Sequence, residues 1–444
     1  MRPSKYHKTL KKIYDLDKFG SKPGLERIEQ ILFELGNPQN HYRCVIVGGS
    51  NGKGSSVEMI GTILKEAGIK TGTYFSPQVI EFPERIRING AYASKQDIIW
   101  AYRKVSEVCQ KSAIEATFFE VVTAMAFLIF QRHKVEYAVL EVGLGGRLDA
   151  TNVVEPEIAA ISSLSLEHTH VLGPTIRQIA HEKCGIARRG IKLVCGMLTQ
   201  EAKEAVVEEC RQIGAHLVMV EDEVGIFDIR QNGLFYSFKA HYEGEEYSIN
   251  LAAAGRFQIS NACLAIAVCK NLGIEKGPIE RGLAKAKPRY RLEQVGKNPI
   301  TIADSCHNPE AAFALSAEVE RLPAKKKLLV FSAMRDKDYE QMLKIFRAHF
   351  DAIILCKVDL PRAASLQDLK KAAQNAGIEV LDLQPKRIKK PKKVEGTIGL
   401  CVEEPQKAVA AARKLAGRSG YVFIAGSIYL LAQLYSKDKI RIAQ

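Results

Sequence analysis

Val45-Ile-Val-Gly-Gly-Ser-Asn-Gly-Lys-Gly-Ser-Ser56 is an apolar run that breaks into a glycine-rich loop. Apolar residues at helical spacing follow at Val57, Ile60 and Leu64, and Gly68 marks the helix end. Strands and helices alternate in this way throughout the chain, which argues for parallel sheets with crossover helices. Gly48, Gly49, Gly52 and Gly54 let the backbone wrap an anion, with a helix N-terminus behind it. Lys53 supplies a point charge for β- and γ-phosphates, and Ser55 or Ser56 a hydroxyl for Mg²⁺. The loop departs from G-x-x-x-x-G-K-[ST]: Gly54 separates lysine from hydroxyl, and Val47 stands where the first glycine belongs. A glycine-rich turn without nucleotide is the alternative, and the lysine, hydroxyl and strand–helix context argue against it.

At 444 residues the chain is long enough for two or three domains, and 46% hydrophobic residues can form their cores. No apolar run follows the basic start Met1-Arg2-Pro3-Ser4-Lys5, and no stretch approaches the roughly 18 apolar residues of a membrane span. Ten scattered cysteines without a C-x-x-C pair suit reduced thiols, so a cytoplasmic protein is expected. A net charge of +14 suits a polyanionic partner without naming one. Part of it sits in Lys386-Arg-Ile-Lys-Lys-Pro-Lys-Lys393, which lacks the aromatics of a nucleic-acid patch and reads as a solvated loop.

Strand candidates in the first part are Cys44–Val47, Ala138–Val142, Ile158–Ser163 and Leu193–Cys195, with helices at Phe118–His133 and Pro174–Ala187. Between Gly225 and Leu251 apolar and polar residues alternate, as in an antiparallel insertion. A helix over Ser260–Leu272 closes this part, and Pro288-Arg-Tyr-Arg291 reads as a hinge. Further strands are expected at Ile300–Ala303, Leu328–Ser332, Ala352–Leu355, Ile398–Val402 and Tyr421–Ala425, with helices at Pro309–Arg321 and Pro405–Leu415. Two α/β domains follow, residues 1–295 and 296–444.

Several residues stand where chemistry is done. Glu141 ends an apolar strand, where phosphate-loop proteins place an acid for the Mg²⁺ shell. His168 follows another strand and could ligate a second metal, although an ordinary loop histidine is the simpler reading. Lys183, late in a helix, reads by itself as a surface cation favoured by the helix dipole. Asp304 and His307 lie where a strand opens into a loop, a usual ligand position in α/β sheets, although Asn308-Pro309 is also a good helix start.

Together these motifs resemble folylpolyglutamate and dihydrofolate synthases of the Mur ligase superfamily over nearly the full length. The resemblance rests on Lys22-Pro-Gly-Leu-Glu-Arg-Ile28, Ser50–Ser55, Ser76-Pro77 with Glu84–Arg87, Gly143–Asn152 and Glu182-Lys183. It continues through Gln258 with Asn261, Arg291-Leu-Glu293, Asp304 with His307-Asn-Pro309, Asp336-Lys-Asp338 and Gly426-Ser427. It implies an α/β fold: a phosphate-loop ATPase domain with a mostly parallel sheet, and a smaller Rossmann-like C-terminal domain. The implied activity is ATP-dependent addition of L-glutamate to dihydropteroate or to tetrahydrofolates, through an acyl phosphate. Gly49, Ser50, Asn51, Gly52, Lys53, Gly54 and Ser55, with Asn261, Arg291 and Asp304, would hold ATP. Ser55, Glu141, His168 and Lys183 would hold Mg²⁺ at two sites, Lys183 as a carbamate, with K⁺ as a further cation. Lys53, Lys183 and His307 would be catalytic, with Lys53 and His307 acting as cations at the transferred phosphate. Ser76, Arg85 and Asp149 would line the folate site. A monomer without nucleic-acid or membrane partners is implied.

The chain departs from the family pattern at Gln78 (commonly histidine), Pro83 (asparagine), Glu167 (aspartate), Ser305-Cys306 (Gly-Ala) and Phe257 (histidine). A cell-wall amino-acid ligase would need an N-terminal uridine-nucleotide domain, for which 47 residues leave little room. A phosphate-loop regulatory module would have no use for Lys183, Arg291 or the Asp304/His307 pair.

Overall fold

The computed structural model describes residues 4–16, 20, 23–381 and 396–436. The basic run Lys386–Lys393 and Lys22 lie outside the described residues. Eight strands form the first sheet: β1 (Arg43–Gly48), β2 (Thr71–Tyr74), β3 (Ile86–Ile88), β4 (Ala91–Tyr92), β5 (Tyr137–Glu141), β6 (Ile158–Ile161), β7 (Lys192–Cys195) and β8 (His216–Met219). Their order is β4-β3-β2-β5-β1-β6-β7-β8, parallel except for the edge hairpin of β3 and β4. Strand β1 is central and serves two cores. Cys44 and Ile46 pack with the helix Phe118–Arg132, while Val45 and Val47 pack with the helices Lys53–Glu66 and Phe257–Asn271. A strand covered on both faces must be apolar throughout, which is why it reads as a run and not as an alternation.

Register places the functional ends together. Val47 pairs with Glu141 and Gly48 with Ile161, so the glycine-rich loop, the end of β5 and the end of β6 emerge at one edge. A three-stranded antiparallel sheet follows, as the alternation implied: β9 (Gly225–Asn232), β10 (Phe235–Tyr242) and β11 (Glu245–Ala254). Tyr236, Phe238, Tyr247 and Ile249 face the helix Phe257–Asn271, whereas Phe227 and Ile229 on the outer strand stay largely exposed.

The last sheet holds β12 (Glu293–Lys297), β13 (Ile300–Ala303), β14 (Lys327–Phe331), β15 (Ala352–Leu355), β16 (Glu379–Leu381), β17 (Ile398–Cys401) and β18 (Tyr421–Ala425). Its order is β12-β13-β18-β14-β15-β17-β16, parallel apart from β12. The segment Pro288–Leu292 turns sharply into it, with Tyr290 and Leu292 both at positive φ. All ten cysteines are free, and eight of them are buried. Among the described residues no helix is long and apolar enough to cross a membrane.

Candidate active site

The phosphate loop is laced to the segment after β6. Ser50 N donates to Ser163 O at 2.8 Å, Asn51 N to Ser163 Oγ at 2.9 Å, and Ser162 Oγ to Asn51 O at 2.7 Å. Gly52 has φ +90°, and a Cβ there would meet Asn261 Oδ1 at 2.4 Å, so only glycine fits. Lys53 Nζ folds back on the loop, donating to Gly49 O at 2.7 Å and Ser50 O at 3.0 Å. Cradle and cation stand ready, and a phosphate would replace those carbonyls as Lys53's partner.

Gly54, the residue that breaks the standard pattern, has a steric reason. A Cβ there would press on both carboxylate oxygens of Glu141, at 3.3 and 3.4 Å. Glycine lets Glu141 approach the helix start. Burial raises the Glu141 pKa against the pull of Lys53, and its Oε2 accepts Ser76 N at 3.0 Å. Ser55 Oγ receives Gln258 Nε2 at 3.3 Å, and Gln258 is held in turn by Asn261. Hydroxyl, carboxylate and phosphate oxygens make a hard donor set, which fits one Mg²⁺.

The second expected metal set is different. Lys183 is 2% exposed and donates to Gly49 O at 2.9 Å and Glu167 Oε1 at 2.8 Å. An ammonium cannot ligate a cation, so Lys183 would offer His168 an anionic co-ligand only as a carbamate. Among the described residues no three histidine, cysteine or acidic side chains converge on a metal position. Burial and the nearby Lys53 lower the Lys183 pKa to about 8. Burial works against ionisation of Glu167, yet Lys53 and Lys183 outweigh it and hold that carboxyl at about 2. His168 is lowered by burial and by Lys337.

From the last sheet, Asp304 Oδ2 accepts Leu292 N and Oδ1 accepts Cys306 N, both at 2.8 Å. This buried carboxylate therefore ties the hinge to β13. His307 lies three residues further along the same loop. Its Nδ1 bonds Ser305 O at 3.0 Å, and burial with Lys337 and Arg291 pulls its pKa to about 4. These surroundings favour the neutral imidazole over the cation that the resemblance implies at the transferred phosphate. Nδ1 carries the proton, since a carbonyl can only accept.

Three spaces meet here. A cavity of about 220 Å³ between the two large sheets is lined by Asn51, Gly52, Ser55, Asn261, Arg291 and Asp304. A cavity of about 610 Å³ is lined by Ser76, Arg85 and Asp149 with Phe118, Phe119 and Leu148. A narrow cleft lined by Ser55, Glu141, Ser76 and Arg291 shares walls with both. The three expected folate residues thus share one cavity, but Asp149 has little left to offer. Its oxygens accept Gly143 N, Leu144 N, Thr151 N and Thr151 Oγ1 at 2.6–3.0 Å, which makes it an organiser of the cavity wall.

Comparison with known proteins names this arrangement. Residues 47–269 match the Mur ligase middle domain, and residues 290–428 the Mur ligase glutamate ligase domain. The dihydrofolate synthase/folylpolyglutamate synthase of Bacillus subtilis is 33% identical, with 95% of this chain and 96% of that protein covered. This chain belongs to the folylpolyglutamate synthase/dihydrofolate synthase family of Mur ligases. Family members are ATP-dependent folate–glutamate ligases. The solved E. coli FolC in complex with DHPP and ADP superposes with a TM-score of 0.83 at 26% identity, covering 96% of each chain. A solved bifunctional family member with Mn, AMPPNP and L-glutamate bound gives the same TM-score and identity over 98% of each chain.

Sequence reasoning about this Mur ligase missed Glu310. It accepts Asn51 Nδ2 at 2.5 Å and Ser165 Oγ at 2.6 Å, tying the phosphate loop to the helix Pro309–Arg321. Its place in the first turn after Asn308-Pro309 was the available signal. Lys337 was noticed only as part of a motif, yet its charge acts on both His168 and His307.

Proposed function

We propose that this chain joins L-glutamate to folate-type carboxylic acids at the expense of ATP, accepting both dihydropteroate and tetrahydrofolates. The observation that carries this reading is the meeting of the cavity beside the phosphate loop and the larger, aromatic-walled cavity at Ser55, Glu141 and Ser76. ATP enters the smaller cavity with its phosphates on the loop amides and Lys53. Asn261, Arg291 and Asp304 line the nucleoside end. The acidic substrate fills the larger cavity, its aromatic part against Phe118, Phe119 and Leu148. Arg85 is 1% exposed, has no ion-pair partner among the described residues and reaches Ser76 Oγ at 3.5 Å. It receives the substrate carboxylate and points it at the γ-phosphate.

That carboxylate attacks the γ-phosphorus, ADP leaves, and the glutamate amine then displaces phosphate from the acyl phosphate. Lys53 and the loop amides meet the charge that builds on the phosphoryl oxygens, and no side-chain nucleophile is required. Divalent cations, when bound, neutralise the same oxygens; Ser55 and Glu141 would hold one, and His168 with carbamylated Lys183 a second. The depressed Lys183 pKa supports carbamylation, because CO₂ adds only to a neutral amine. K⁺ is a further cation in this scheme. We read the chain as an ATP-binding unit and a glutamate-ligase unit, dividing at the turn Pro288–Leu292 ahead of β12 and not at residue 295, and working as a cytoplasmic monomer without nucleic-acid or membrane partners.

The test is to incubate the protein with ATP, Mg²⁺ and L-glutamate, plus either dihydropteroate or tetrahydrofolate. Mass spectrometry should show one added glutamyl residue on each acceptor. Product from only one acceptor would remove the dual specificity, and product from neither would remove the reading.

A further inference from the structure

The loop from Ser76 to Arg85 joins β2 to β3 and closes on itself through the buried Glu84. That carboxylate accepts Val79 N at 2.8 Å, Ile80 N at 3.1 Å and Glu81 N at 3.2 Å. The Arg85 carbonyl accepts Phe75 N at 2.8 Å. The backbone around Arg85 is therefore set without its side chain.

The side chain needs its own support. Its guanidinium lies over the Phe118 ring, 5.1 Å from the centroid, and reaches Ser76 Oγ only at 3.5 Å. The short contact is Nε–H donated to Gln78 Oε1. Gln78 is 3% exposed, and its amide nitrogen bonds the Tyr14 hydroxyl at 3.2 Å. Because Arg85 Nε can only donate, the amide oxygen must face it, and Tyr14 takes the other end. Tyr14 is itself stacked on Phe118 at 5.9 Å and set edge-on to Phe82 at 6.2 Å. An aromatic wall thus fixes Gln78, and Gln78, with the Tyr74 hydroxyl also against the guanidinium, fixes the rotation of Arg85.

We propose that Gln78 is a positioning residue that sets substrate affinity, its amide carbonyl aiming the outer N–H groups of Arg85 at the floor of the folate cavity. This rests on the reading that Arg85 receives the substrate carboxylate. Gln78→Leu keeps the volume and removes the acceptor. Gln78→His keeps an acceptor nitrogen.

Steady-state kinetics with dihydropteroate, alongside Arg85→Ala, separate the possibilities. A hydrogen bond to a charged group is worth about tenfold or more in binding. Gln78→Leu should therefore raise KM for dihydropteroate about tenfold, with kcat within about twofold and KM for ATP unchanged. Gln78→His should stay close to the native protein. An unchanged KM in Gln78→Leu, with a raised KM in Arg85→Ala, overturns the role of Gln78 and leaves that of Arg85 standing. An unchanged KM in Arg85→Ala overturns both. If the leucine and histidine variants lose kcat and ATP affinity alike, Gln78 is only structural and the proposal fails.

Discussion

Lys183 faces two opposing demands. Burial and Lys53 push its amine toward neutrality near pH 8, while Glu167 at 2.8 Å favours the ammonium. Under the carbamate reading, CO₂ addition turns this cation into the anion that would join His168 on a second divalent ion. Lys183→Ala should lower kcat by about two orders of magnitude, as loss of a charge-stabilising group at a transferred phosphate does. Added formate or acetate should restore part of it, and full activity in the variant would contradict the metal role. His307 makes a prediction of the opposite sign from a cationic group. Its folded pKa of about 4 lies below the usual imidazole value of about 6.5, so the fold favours the neutral ring. The stability it contributes is complete above about pH 6.5 and is lost as pH falls toward 4. Between pH 7 and 4.5, the native melting temperature should fall further than that of His307→Gln. Parallel curves would show that the ring is not held neutral.

At the scale of elements, the strand–loop–helix from β1 through the helix Lys53–Glu66 shows two physical effects competing at Gly54. Alanine for glycine inside a helix stabilises it by roughly 1 kcal/mol. The added Cβ would at the same time crowd the Glu141 oxygens at 3.3 and 3.4 Å. Gly54→Ala should therefore keep or raise the melting temperature while raising the Mg²⁺ concentration for half-maximal activity about tenfold, the effect of displacing a metal-site carboxylate. An unchanged Mg²⁺ requirement would break the link between Gly54 and Glu141. The same element shows what a sequence reveals. Central strands such as β13, β15 and β18 are apolar runs buried on both faces, and their limits were legible to the residue. The strands missed are edge or small-residue strands. Thr71-Gly-Thr-Tyr74 forms β2 because Gly72 lets Phe130 pack against the backbone, where a Cβ would lie 2.6 Å from the ring. Glu293-Gln-Val-Gly-Lys297 pairs as β12 at an exposed edge and carries no apolar signal. Site residues behaved likewise. Lys53, Ser55 and Glu141 converge because adjacent strand ends bring them together. The pull of His307 toward the neutral ring comes from burial with Lys337 and Arg291, and the saturation of Asp149 from the fold of its own loop, and neither could be read from the sequence.

For the whole molecule, the carboxyl edges of the two large sheets face one phosphate loop. Asn51 holds both sides, through Glu310 and through Asn308 Nδ2, which donates to Asn51 Oδ1 at 3.1 Å. Arg291, on the turn into the last sheet, acts on Glu141, Asp304 and His307 together. The cavity beside the phosphate loop is therefore completed by the second half of the chain, and turnover should require groups bound on both sides of the loop. On the proposed mechanism the γ-phosphate passes to the substrate carboxylate and leaves as phosphate only when glutamate arrives. The direct measurement is the stoichiometry of ADP, phosphate and glutamylated product with each substrate omitted in turn. One ADP and one phosphate per amide bond, with multiple turnover only when ATP, dihydropteroate and L-glutamate are all present, is the predicted result. Steady phosphate release without dihydropteroate, or AMP and pyrophosphate as products, would contradict it.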